Sequence, residues 1–61
     1  MKAIVLIGAY QYIGDAEDTL VDAGIKNHSD VLGNIIVADD DVAMAEDVLL
    51  DYGFDFRVVD L

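Results

Sequence analysis

The sequence predicts a small α+β domain, with two helices lying on one face of a four-stranded antiparallel sheet, and three observations lead there. β-Branched apolar segments alternate with helical ones, each helical segment stops at a glycine, and part of the chain recurs at an offset of 29 residues. Residues 16–32 and 45–61 share 7 of 17 identities, at Ala, Glu, Asp, Leu, Asp, Gly and Leu. A structural unit repeated as 1–32 and 33–61 within one domain, 1–61, accounts for the recurrence.

The first strand is read over Lys2 to Ala9, which is β-branched and apolar with Gly8 near its end. Gly14-Asp15 then precedes a pattern in which Ile13, Ala16, Leu20 and Ala23 fall on one side. That predicts a helix from about Asp15 to Ala23, stopped by Gly24. Ile25 to Leu32 is the weaker second strand; its polar Lys26-Asn27-His28-Ser29-Asp30 stretch leaves a long loop as the other reading. Gly33-Asn34 supplies a turn into a third strand, Asn34 to Ala38. Asp40 or Asp41 can cap a second helix from about Asp41 to Tyr52, with Val42, Ala45, Leu49 and Tyr52 on its apolar side and Gly53 as its stop. Phe54, Phe56 and Val58 alternate with Asp55 and Arg57, the period of two of a half-buried fourth strand.

This βαβ-βαβ order is similar to that of the ferredoxin-like fold. With Ile25 to Leu32 as a loop, the alternative is a three-stranded β-α-β-α-β sheet. A chain of 61 residues removes only roughly 60% of its unfolded surface from water, so its core is small and a partner helps to stabilise it. The hydrophobic fraction of 56% still carries enough burial to fold. The longest apolar run, Ala3 to Ala9, is about half the length of a bilayer span, and a cytoplasmic location is expected.

The motifs that could carry chemistry are incomplete. Asp39-Asp40-Asp41 after a strand could take a hard cation, and Ile36 to Asp41 resembles the opening of response-regulator receiver domains. A receiver also needs a further phosphoacceptor strand and a later lysine, and no lysine follows Lys26; capping and solvated charge at a helix N-terminus account for the triplet. Residues 42–61 resemble the helix and strand of a glutaredoxin-type fold, but the chain has no cysteine. Gly8 to Gly14 lacks the lysine and spacing of a phosphate loop, and Asp15, Glu17 and Asp18 would repel phosphate. Tyr10 and Tyr12 are loop aromatics that would make a contact hot spot if exposed. His28 stands beside Ser29 and Asp30 in sequence, which does not make a triad. No enzyme, cofactor or metal site is expected.

The acid is the informative feature. Three Lys and Arg stand against 13 Asp and Glu, a net charge of −10, which disfavours direct contact with nucleic acid or an anionic membrane and favours a basic partner. At about 100° per residue Asp15, Asp18 and Asp22 lie opposite Ile13, Ala16 and Leu20, and Asp40, Asp47 and Asp51 lie opposite Ala45 and Tyr52, with Glu17 and Glu46 flanking. On adjacent helices these rows approach the spacing of phosphates along nucleic-acid strands. In size, charge and lack of catalytic residues the chain resembles the small acidic DNA-mimic inhibitors of phages and mobile elements, including anti-CRISPR proteins. The resemblance implies that these eight residues bind a basic nucleic-acid-binding protein and block its site.

Two further readings stay open. Acidic surfaces with few lysines also serve solubility, as in proteins of salt-loving organisms. A regulatory or ligand-binding module could instead form a homodimer through its sheet, since Ala3, Val5 and Ile7 are apolar on the side opposite Ile4 and Leu6.

Overall fold

The computed structural model describes residues 1–8 and 12–61, and of Tyr12 the backbone alone. In chain order it contains strand β1 (Lys2–Leu6), helix α1 (Tyr12–Asp22), strands β2 (His28–Ser29) and β3 (Ile35–Val37), a 3-10 turn over Asp39–Asp41, helix α2 (Val42–Asp51) and strand β4 (Phe56–Asp60). The strands form one sheet in the order β2-β3-β1-β4, with every neighbouring pair antiparallel. Its longest ladder joins β1 to β4, from Lys2 opposite Asp60 to Leu6 opposite Phe56. The three-stranded alternative is replaced by four strands.

Alternation along the strands decides which side chains meet the helices. Ile4, Ile35 and Val37 are buried against Ala16 and Leu20 of α1 and Val42, Ala45 and Leu49 of α2, with Leu6, Phe56 and Val58 packed around them. One sheet face therefore receives both helices, which also touch each other. Because β1 and β3 run antiparallel and each helix doubles back after its strand, α1 and α2 run antiparallel too.

Both helices end in the same way. The Ile25 amide donates to the Leu20 carbonyl and the Gly24 amide to Val21, each at 2.9 Å; the Phe54 amide donates to Leu49 and the Gly53 amide to Leu50, each at 3.0 Å. These are Schellman closures with glycine in the left-handed region, at φ +80° for Gly24 and +82° for Gly53. They stand 29 residues apart, and the residue after each glycine, Ile25 or Phe54, packs on the core.

Several boundaries differ from the expectation. β1 ends at Leu6, and α1 begins at Tyr12, so Gly14 lies inside the helix. Only His28–Ser29 of the 25–32 stretch joins the sheet, opposite Ile36 and Ile35. The chain then turns through a hairpin held by Asp30. One carboxylate oxygen accepts the amides of Leu32 and Asn34, both at 2.9 Å, and the other accepts the Asn34 side-chain amide at 3.3 Å. Tyr52, expected on the apolar side of α2, is instead 71% exposed at the C-cap of the helix.

Candidate functional site

The acidic surface is built on the outer sides of α1 and α2. Asp15, Asp18 and Asp22 are exposed along α1, and Asp47 and Asp51 along α2. Burial of Ala16 and Leu20 on one side, and of Ala45 and Leu49 on the other helix, turns these carboxylates to water. Glu17 and Glu46 are half-buried at the flanks, and Glu17 accepts a hydrogen bond from the Ser29 hydroxyl at 3.2 Å. Asp40 is exposed but is not on α2: it lies in the 3-10 turn before it. Neither Ala38 before that turn nor Asp41 before α2 makes a side-chain capping bond, so the Asp39-Asp40-Asp41 triplet does not cap by side chain as expected. Tyr10 and the Tyr12 side chain, the candidate contact pair, lie outside the described residues.

The geometry works against the stability of the helices. Asp18 and Asp22 are one turn apart on α1, and Asp47 and Asp51, their counterparts 29 residues on, are one turn apart on α2. Like charges at this spacing repel. Asp22 and Asp51 are also the last residues of their helices, where the dipole disfavours an anion, and neither final turn holds a basic residue. The ion pairs among the described residues are Lys2 with Asp60 at 3.0 Å and the amino group of Met1 with Asp39 at 2.9 Å. None of the eight site carboxylates takes part in one.

Among the described residues three groups elsewhere titrate away from their ordinary values. The Asp60 hydrogen bond, with its charge, raises Lys2. The Met1 ammonium lowers Asp39 by hydrogen bond and charge, and the amides of the 30–34 hairpin, Asn34 foremost, lower Asp30.

Apolar side chains that the sequence reading passed over lie among the acids. Val21 is 61% exposed between Asp18 and Asp22, and Leu50, its counterpart at the 29-residue offset, is 62% exposed between Asp47 and Asp51. Met44 and Tyr52 are exposed as well. The signal was available: Val21 and Leu50 stand about 110° from the buried side of their helices, too far round to reach the core. Beside the acidic rows, a cleft of about 380 Å³ opens between the start of α1 and the end of α2, lined by Leu6, Ile7, Asp15, Tyr52, Phe54 and Asp55. Apolar walls with two carboxylates suit a cationic side chain with an aliphatic stem.

Among the described residues no three or more acidic or histidine side chains gather to hold a metal ion, and no helix is long and apolar enough to cross a membrane. Comparison with protein-family models, with curated proteins and with solved structures gives no match to this chain.

Proposed function

We propose that this chain is a non-enzymatic inhibitor of the cytoplasm, of phage or mobile-element type, that imitates the charge of DNA. In this reading it binds a basic nucleic-acid-binding protein, as anti-CRISPR proteins of the DNA-mimic kind do. One observation carries the reading: both helices set an unpaired carboxylate pair, Asp18 with Asp22 and Asp47 with Asp51, at their C-terminal turns, where mutual repulsion and the dipole both oppose it. Charge kept where it costs stability points to a use outside the fold. The finer fold assignment that goes with it is ferredoxin-like βαββαβ. Its support is the order β2-β3-β1-β4, in which β3 is inserted between β1 and β2.

The 380 Å³ cleft with Asp15 and Asp55 adds a place for a lysine or arginine of that partner.

The test is capture of tagged protein from bacterial lysate at low salt, followed by elution with duplex DNA as the competitor. Release of a nucleic-acid-binding protein by DNA, and its absence from a capture with the Asp18→Lys/Asp47→Lys variant, are the expected results. Equal capture by that variant overturns the reading.

A further inference from the structure

Two backbone features build the cleft beside the acidic rows. One residue past the β1–β4 ladder, the Ile7 amide donates to the Asp55 carbonyl at 3.0 Å, which places Asp55 beside the end of the sheet. At the Gly53 closure the Phe54 amide donates to the Leu49 carbonyl at 3.0 Å; Phe54 packs on the core, and Tyr52 on the other side of the glycine is 71% exposed. Asp15, in the first turn of α1, completes the lining. The cleft of about 380 Å³ thus has Leu6 and Phe54 half-buried, and Ile7, Tyr52, Asp15 and Asp55 exposed around them.

We infer that this cleft receives the guanidinium side chain of an arginine, and takes it from the basic partner, a source that rests on the function proposed above. Size is the first argument. Ligand pockets run from roughly 300 to 1,000 Å³, and a space near the lower end suits one long side chain.

Charge is the second. Neither Asp15 nor Asp55 belongs to the ion pairs among the described residues, which are those of Lys2 and of the Met1 amino group. An anion is repelled here, and a neutral apolar group would take two carboxylates out of water with nothing in exchange. A cation meets neither obstacle.

The chemistry of the walls chooses among cations. Leu6, Ile7 and Phe54 offer apolar surface to an aliphatic stem, and the exposed Tyr52 ring offers a face to a flat charged group. A guanidinium stacks on such a ring and donates in pairs to a carboxylate. The ammonium of lysine is compact and strongly hydrated, and gains less from both.

Nuclear magnetic resonance titration of the isotope-labelled whole chain tests the inference, with end-capped Gly-Arg-Gly, its Gly-Lys-Gly counterpart and propylguanidinium as probes. The expected result is saturable shifts of the Ile7, Gly53, Phe54 and Asp55 amides at millimolar arginine peptide, with the lysine peptide at least about threefold weaker. Tyr52→Ala, and Asp15→Asn combined with Asp55→Asn, should each weaken the arginine peptide at least about threefold, whereas Asp47→Asn leaves it unchanged. These side chains are exposed, and should one variant lose the parent spectrum the other decides. Equal binding of the lysine peptide overturns the inference. So do the absence of saturable shifts, shifts spread along the acidic rows in place of the cleft, or folded cleft variants that bind as the parent does. Propylguanidinium binding at least about tenfold tighter than the peptide overturns the assignment to a protein side chain. The titration needs no captured protein, so the two readings fail separately: cleft shifts without DNA-released capture overturn the DNA-mimic reading alone, and capture without cleft shifts overturns this one alone.

Discussion

The helix layer and the open face of the sheet divide the charge of this molecule unequally. Seven of the eight acids nominated as the partner site sit on α1 and α2, and none of the 13 carboxylates sits on an outward strand position. A surface made only for solubility has no need of such a division, since scattered charge solvates as well and repels itself less. The proposed binding surface rests on these seven acids, two of which stand at helix C-termini against the preference of the dipole.

The sharpest way to break the contrast is to reverse charge on one layer and polarity on the other. Asp18→Lys with Asp47→Lys should cost on the order of 100-fold or more in affinity for the captured partner, while Val59→Ser on the sheet leaves that affinity within about twofold. A titration of labelled protein against the captured target decides it, and equal losses from both would erase the distinction between the faces.

Next in size are the glycines that close the helices. Gly24→Ala and Gly53→Ala each force a side chain into the left-handed region with φ near +80°. Each should destabilise by about 1–2 kcal/mol, read from urea midpoints at unchanged slope. Equal costs at the two sites would support treating the closures as equivalent, while a large difference would separate them.

A smaller effect of opposite sign is expected at the neighbouring acids. Asp22→Lys and Asp51→Lys replace an anion by a cation at a helix C-terminus and remove a like-charge neighbour, so each should raise Tm by roughly 2–5 °C while weakening partner binding. Calorimetry beside the same titration reads both, and a fall in Tm would contradict the electrostatic account of this layer.

The smallest effect separates the hairpin from the helices. The Asp30 carboxyl is held below its ordinary 3.8 by the amides it accepts, so its contribution to stability is present at neutral pH and is lost as pH falls through the depressed value. The Tm gap between the parent and Asp30→Asn should therefore be open at about pH 7 and close as the pH falls below about 4. Comparing the two at each pH cancels the acids that they share.

Much of this was legible in the sequence because the signals are local. Gly24 and Gly53 marked the helix ends, and Ala16, Leu20, Ala45 and Leu49 marked the buried sides. Tyr52 was misread because helical spacing carries no information about where a helix stops, and Tyr52 is the C-cap residue of α2. β2 was hard to see because it is two exposed residues held by pairing with Ile36 and Ile35, a partnership that lies in β3 and not in His28 or Ser29. At the site, the helical acids were found from their angles, whereas Asp40 moved because three consecutive aspartates form a 3-10 turn before α2 begins. Val21 and Leu50 were passed over because attention to charge hides an apolar residue that never reaches the core.

The pairing of β1 with β4 has a consequence for the order of events during synthesis. Lys2 to Leu6 are made well before their partners, Phe56 to Asp60, which follow 50 to 58 positions later. Until those residues are free, one edge of β1 offers unpaired amides and carbonyls, and both helices lack Phe56 and Val58 beneath them. Local closures at Gly24 and Gly53 can form early, but the longest ladder waits for the end of the segment, so folding completes after translation of Asp60 and the nascent chain is most exposed to misassociation just before it.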